Sequence, residues 1–560
     1  MSHPNVSNEK ESQSPALEAF VLGGVGDFGM NMMALKSGTD ALLIDAGTAF
    51  PGLTYLGIES AIPNVDTFAS KVGMIRGLVL THGHEDHIGA VPFIWNALEG
   101  NIYGTDITLA LLARKLKEHS IAPADRLKEI FPGSHFSVGV FNVEFINVAH
   151  SVPGSVALAI RTPVGTILHT GDYKMNASPK EAGRTNKSRL AEIGAEGVLA
   201  MFGDSTNALV PGHTPDEQCA YRGLEGVFQT SATRIFITTF SSSLNRIRTL
   251  FELANIYGRK VVLIGRSLIN NVQLAERLGY LHVPPDLYAE KSRLRHYPKK
   301  EVLVILTGSQ GEPRSALHRL AMDSDGAVPL EAGDVIAFSA RVIPGNEAQV
   351  NRLVNRLVNQ GIEVIQNAKH PIHVSGHGSE EDLKEMLLLV KPRYTIPIHG
   401  NHTQLHHHAG LISANSNFSS TAIRVKNGDR LCFASNEVWL GCPIETSSHY
   451  IDQDHQICRA DEALLQERRA VAQSGLLVIT IGSQTNSFQI STRGLRMCAE
   501  DGDITEQVED CIKTVLANTA LTESHDLLHL ETEIQRRLRS LFRSKKRVCP
   551  DVLTVVAEPL

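Results

Sequence analysis

At 560 residues the chain is too long for one core, and domains of about 100–200 residues predict two to four. Hydrophobic residues make up 42% and charged residues 20%, the balance of an ordinary soluble protein, and no run approaches the ~20 apolar residues of a membrane span, so an integral helical membrane protein is excluded. The net charge of −7 argues weakly against a nucleic-acid partner, but residues 291–300 hold five Lys/Arg, 536–547 hold seven, and bound divalent cations would offset acidic ligands.

Residues 1–17 are rich in Ser, Asn, Glu and Lys and lack the apolar core of a secretory signal, so they are expected to form a disordered tail. A first domain is expected over 18–210, where short apolar strands alternate with Gly-rich turns: ALLIDAG (41–47), GLVLTHGH (77–84), VEFINVAH (143–150) and GTILHTGD (165–172). Each ends in a polar cluster with Asp or His, the place where layered α/β folds put chemistry. Over 211–370 strands such as RIFITTF (234–240), KVVLIG (260–265), EVLVILTGS (301–309) and DVIAFSA (334–340) alternate with helical stretches. In 347–361, Val350, Leu353, Val354, Leu357 and Val358 recur at helical spacing before Gly361, which points to a second α/β domain with a parallel sheet.

The His/Asp clusters return in HPIHVSGHGS (370–379) and YTIPIHGNH (394–402), so the chain is expected to re-enter the first domain over 371–452 and the second domain to be an insertion. A linker at 453–462 leads to a small C-terminal α/β domain over 463–560, with helices near 460–473, 504–518 and 524–543 and strands at 476–482 and 552–558. The seven cysteines, Cys219, Cys432, Cys442, Cys458, Cys498, Cys511 and Cys549, are scattered and never form C-x-x-C, which predicts free thiols in a reducing cytoplasm.

The decisive segment is THGHEDHIGA (81–90). Three His and one Asp at these fixed positions arise by composition only about 0.002 times in such a chain. Imidazoles two residues apart beyond a strand end can share a metal, and the adjacent carboxylate and imidazole can face another. His150, Asp172 and His399 end three other strands. The assignment is His82, His84 and His150 on one ion, Asp86, His87 and His399 on the other, and Asp172 bridging them. Imidazole plus carboxylate suits Zn²⁺ or Mn²⁺, and two ions can share a hydroxide for an in-line phosphoryl displacement.

His-x-His-x-Asp-His followed by separated His, Asp and His resembles the metallo-β-lactamase superfamily. The insertion followed by HVSGH (373–377) and PIHG (397–400) resembles its β-CASP branch. GDSTNA (203–208), Pro-Gly-x-Thr-Pro (211–215), TGSQGEP (307–313), IPGNE (343–347) and SGHGSEEDLKEML (375–387) extend the resemblance, over nearly the whole chain, to the bacterial ribonuclease J family.

That resemblance implies an α/β, four-layer αββα fold with a β-CASP insert and a small C-terminal domain. It implies a 5′-to-3′ exoribonuclease favouring 5′-monophosphorylated single-stranded RNA, with internal cutting as well, acting in cytoplasmic RNA processing and decay. It implies two divalent ions, Zn²⁺ first and Mn²⁺ or Mg²⁺ as alternatives. Homodimers or homotetramers and RNA-degradation partners are expected; a membrane is not. Residue by residue, the metal positions match His82, His84, Asp86, His87, His150, Asp172 and His399. The substrate phosphate contacts match His373, Val374, Ser375, Gly376 and His377. Asp86 and His377 are the candidate catalytic residues, His377 as proton donor to the leaving 3′-oxygen. Asp45 and Asp204 are expected to orient the ligands, and Arg246 to meet RNA phosphate. The sequence departs from the family's His-Gly-Glu at His399-Gly400-Asn401, and His402, His406 and His407 look extra, whereas His408 fits a family histidine. The alternatives are a small-molecule metallo-hydrolase, or a catalytically silent RNA-binding partner subunit.

Overall fold

Strict alternation in Phe141–Asn147 sets the layering. Phe141, Val143 and Phe145 point into one core shared with Leu17, Leu35, Val79, Leu158, Phe202 and Ile396. Ile146, on the opposite face, packs with Leu190, Ile193, Leu383 and Met386 of two covering helices. Glu144 shares that second face and is buried, but Arg161 and Arg189 both donate to its carboxylate, at 3.1 and 2.6 Å.

The computed structural model describes residues 16–557 apart from 51–56, 180, 182, 324–327, 367–370, 417, 435–436, 453, 459–461, 483–486, 496–503, 518–523 and 545–548. The expected N-terminal tail therefore falls almost wholly outside the described residues, as does part of the expected linker.

Two sheets stack on the shared core. One has eight strands in the order Val438–Leu440, Arg430–Phe433, Leu17–Gly23, Met32–Ser37, Asp40–Ile44, Met74–Val79, Asn101–Gly104 and Leu127–Glu129. The other has seven: Thr421–Ala422, Tyr394–Ile398, Val198–Asp204, Gly165–His169, Val156–Thr162, Phe141–Asn147 and His135–Val138. Asp106–Glu118 covers the first sheet, and Lys187–Glu196, Glu380–Val390 and His402–Ala414 cover the second. This is the four-layer αββα arrangement, and strands from after residue 390 complete both sheets.

Between Glu217 and Gln366 the chain builds a separate parallel sheet in the order Lys260–Ile264, Val302–Leu306, Ile235–Thr238, Val335–Phe338, Glu363–Gln366. Glu217–Thr230, Leu244–Ile256 and Arg266–Arg277 cover one face; Ala316–Ala321 and Glu347–Asn359 cover the other. In that last helix Val350, Leu353 and Leu357 are buried as the periodicity predicts, but Val358 lies beyond the edge of the apolar stripe and is exposed. Residues from Asp452 on belong to a second compact unit. There Leu476–Gly482 pairs with Phe488–Arg493 and Asp551–Ala557, and Leu477, Ile479 and Ile481 pack on Val508, Ile512, Ile534 and Leu538.

The fold's main service to function is at the strand ends. Gly165–His169, Val198–Asp204 and Tyr394–Ile398 are parallel neighbours, so their carboxyl ends open on one edge, about 4.8 Å apart. Opposite them the turn after Met74–Val79 is held against 45–48: Ala46 N–H donates to the His87 carbonyl at 2.7 Å and Thr48 N–H to that of Glu85 at 3.0 Å. A Cβ on Gly47 would lie 1.5 Å from the Asp86 carbonyl oxygen, so only glycine permits this approach. Gly47→Ala is expected to destabilise the fold by about 1–3 kcal/mol through overpacking and to lower the metal content of the purified protein. An alanine variant with unchanged unfolding temperature and metal content would contradict this reading.

Candidate metal centre

His82 and His84 follow the end of Met74–Val79, and Asp86 and His87 lie in a four-residue helix, Glu85–Ile88. His150, Asp172 and His399 come just after Phe141–Asn147, Gly165–His169 and Tyr394–Ile398. Asp45 and His399 adopt left-handed φ of 56° and 54°, a backbone that costs about 1–2 kcal/mol for a side-chain-bearing residue. Strain of this kind is held in place where surrounding structure over-determines it, commonly at functional sites.

The seven side chains converge. His82 Nε2 and His150 Nε2 each lie 3.1 Å from His84 Nδ1, with Asp172 Oδ2 at 3.5 and 3.8 Å from the first two. His87 Nε2 and His399 Nε2 are 3.3 Å apart; Asp86 Oδ2 is 3.3 Å from His399, and Asp172 Oδ2 is 3.3 Å from His87. Ligands held about 2.0–2.2 Å from a tetrahedral ion sit roughly 3.3–3.6 Å from one another. The donor chemistry fits a cation as well. A proton on one of three facing imidazole nitrogens can satisfy only one neighbour, whereas a metal ion satisfies all three. Asp172 belongs to both groups.

Each inward-facing nitrogen has a partner behind it. Asp45 Oδ2 sits 2.7 Å from His87 Nδ1, and Thr81 Oγ1 3.0 Å from His82 Nδ1. The Gly376 carbonyl lies 2.9 Å from His150 Nδ1, Ser151 Oγ 3.3 Å from His84 Nε2, and Thr206 Oγ1 2.6 Å from His399 Nδ1. Such partners fix tautomer and ring orientation around a metal. Asp172, Asp204, His377 and His399 also offer atoms within 4.8 Å of one another. Asp204, however, already accepts from Thr206 N and Oγ1 on one oxygen and from His377 Nδ1, at 2.8 Å, on the other. It is placed to orient rather than to ligate. Asn31, which no sequence spacing singles out, donates from Nδ2 to the Asp86 carbonyl at 3.0 Å and lies 3.3 Å from Asp86 Oδ2.

Four family descriptions match in succession: metallo-β-lactamase superfamily (25–224), ribonuclease J β-CASP domain (232–357), Zn-dependent metallo-hydrolase RNA specificity domain (361–423) and ribonuclease J C-terminal domain (463–559). A ribonuclease J from Thermus thermophilus is 34% identical over 561 residues, covering 97% of this chain and 95% of its own. Ribonuclease J of Helicobacter pylori strain J99 is 32% identical, covering 95% of this chain and 78% of its own. Ribonuclease J2 of Bacillus subtilis is 31% identical, covering 98% and 100%.

The chain belongs to the ribonuclease J family.

A solved Enterococcus faecalis protein of unknown function matches with a TM-score of 0.54 at 16% identity, over 75% of this chain and all of its own; that likeness concerns the fold alone.

Of the positions that the resemblance assigns to substrate, the structure brings Gly376 and His377 beside the candidate ligands; Val374 is buried, and His373 and Ser375 are half-buried. Arg246 is a correction. Expected to meet RNA, it is 1% exposed. Its Nε and Nη2 donate to Glu217 at 3.0 and 2.8 Å, and its Nη1 donates to Ser339 Oγ at 2.5 Å and to the Ile372 carbonyl at 2.9 Å. A guanidinium engaged by these partners in the interior has no face for a phosphate; it holds the 339 and 372 backbones together. The histidines after His399 lie off the centre: His402 and His406 are exposed, and His407 Nε2 is 3.6 Å from Glu380. His408 is buried, with Nδ1 2.9 Å from Ser205 Oγ.

The two half-sites differ electrically. Burial, reinforced by the neighbouring imidazoles, holds His82 and His150 well below the usual histidine range, and burial brings His84 to about 4, so all three are neutral and ready to ligate. Burial also opposes charge on His87 and His399. There the carboxylates win: Asp172, Asp86 and Asp45 raise His87 well above its usual value, and Asp172 with Asp204 and Asp86 raises His399. Without an ion this half keeps protons at neutral pH, and a divalent cation must displace them. Metal uptake by the apoprotein at pH 7 is expected to release about one to two protons per chain, and affinity is expected to rise with pH as those protons leave. Calorimetry in buffers of different ionisation enthalpy reads this directly. Heats independent of buffer would contradict it.

Proposed function

We propose that this chain is a 5′-to-3′ exoribonuclease that prefers single-stranded RNA bearing a 5′-monophosphate, with internal cutting as a further activity, in cytoplasmic RNA processing and decay. As a member of its family it is a metal-dependent hydrolytic ribonuclease. The observation that carries the finer reading is the closeness of the Ser375–His377 turn to the candidate ligands: the Gly376 carbonyl lies 2.9 Å from His150 Nδ1, and His377 Nδ1 lies 3.9 Å from Asp172 Oδ2. A terminal phosphate docked on that turn would stand next to the metal pair, as removal of the terminal nucleotide requires.

His82, His84 and His150 would hold one ion, Asp86, His87 and His399 the other, with Asp172 shared. Five imidazoles among the seven ligands favour Zn²⁺, with Mn²⁺ next and Mg²⁺ least. The ion pair would supply a nucleophilic water at neutral pH and neutralise phosphate charge. The chain's own groups do the rest. Asp204 accepts the Nδ1 proton of His377 at 2.8 Å, which leaves Nε2 to deliver a proton to the departing 3′-oxygen. Asn31, whose Nδ2 reaches both the carbonyl and the Oδ2 of Asp86, would hold that carboxylate in place to take an ion. A homodimer or homotetramer, and recruitment into an RNA-degradation complex, are part of the same proposal and rest on family resemblance.

The test is a time course on one RNA labelled at either end, as the 5′-monophosphate and as the 5′-hydroxyl. Mononucleotides should leave the 5′ end of the monophosphorylated strand from the first time points. Equal internal fragments from both substrates would move the weight to endonuclease.

A further inference from the structure

The motifs at 203–208, 307–313 and 343–347 hold no metal ligand, yet they meet in one hydrogen-bonded relay. Gln310, 4% exposed, donates from Nε2 to the Arg341 carbonyl at 2.9 Å, and its Oε1 accepts from Ile343 N at 2.8 Å and Asn346 Nδ2 at 3.3 Å. This pins the backbone of an exposed arginine at the end of an inserted-domain strand. Arg341 Nη1 donates across to Asn207 Oδ1, and Asn207 Nδ2 donates to Ser375 Oγ at 2.8 Å and to the His377 carbonyl at 3.0 Å. Chemistry fixes the orientation of that amide: a guanidinium can only donate, a carbonyl can only accept.

The consequence falls on Ser375. Its oxygen accepts twice, from Asn207 Nδ2 and from His377 N at 3.1 Å. With both lone pairs engaged, the hydroxyl proton is left to donate. The remaining edge of the Arg341 guanidinium likewise has no partner among the described residues. Two donors, one of them cationic, are thus preset at the same turn. Half-buried His373 feels this charge: burial, then Arg246, Arg341 and Lys174, drive it well below the usual histidine range, so an anion there would be welcome.

We propose that Arg341 is the inserted domain's reader of a phosphate bound at the Ser375–His377 turn, and that Asn207 is the positioning residue that sets both Arg341 and the Ser375 hydroxyl to donate. The inference rests on the 5′-monophosphate reading above and assigns two residues that reading does not use.

Arg341→Gln and Asn207→Asp test it, with kcat/KM on 5′-monophosphorylated RNA divided by kcat/KM on the 5′-hydroxyl RNA of the same sequence. Asn207→Asp is the sharper variant. It would tighten the tie to Arg341, but a carboxylate cannot donate to Ser375 or His377. Each substitution should lower the ratio about ten- to a hundredfold, the range of a charge-assisted hydrogen bond, mainly through KM. Arg341→Lys should recover part of it. Metal content and unfolding temperature monitor folding, and if Asn207→Asp does not fold, exposed Arg341 decides alone. A wild-type preference that survives both substitutions overturns this inference and leaves the substrate reading standing. A wild type with no preference for the 5′-monophosphate brings down both.

Discussion

One buried carboxylate organises the centre. Asp172 Oδ2 lies within 3.8 Å of nitrogens from His82, His150, His87 and His399, which otherwise fall into two sets. Packing five imidazoles and two carboxylates into so small a space is unfavourable without cations, because desolvated donors face one another with too few protons to share. The supporting structure is shaped by that demand. Two side-chain-bearing residues take left-handed backbone, a glycine lets the 45–48 turn press on Asp86, and every inward nitrogen has a partner behind it.

The layered fold makes this convergence affordable in backbone terms. Parallel neighbouring strands end together, so Asp172 and Asp204 arrive on one edge with His399, which lies far along the chain beyond the insertion. The insertion between them is coupled to the centre by buried polar contacts rather than by apolar packing alone. Arg246 ties Glu217 to the 339 and 372 backbones, Glu181 accepts from Glu217 N at 3.0 Å, and Lys174 lies 2.9 Å from Glu181 in the interior. Buried ionic links of this kind hold a specific geometry and tolerate the loss of one partner poorly.

The convergence of the seven candidate ligands was legible because metal chemistry imposes spacing. Four fall within ten residues, and the other three each terminate an apolar strand, where a period of two and a polar stop coincide. Strand and helix positions followed from the same periodicity, but Phe488–Arg493 of the C-terminal sheet was missed, because most of its side chains are exposed and it carries little apolar alternation. Arg246 was misread because a lone arginine carries no sign of its depth; only the apolar helix around it, with Ile247, Leu250 and Leu253 buried, hints that it faces inward. Asn31 and Asn207 were missed for a related reason. A single amide in a loop has no partner at fixed sequence distance, and its role exists only once Asp86 or Ser375 has been brought to it by the fold.

The shared carboxylate can be tested by counting. Elemental analysis of the purified protein should find about two divalent ions per chain, and Asp172→Ala, folded by its unfolding transition, should hold one or none. Two ions retained in a folded Asp172→Ala chain would contradict the central claim.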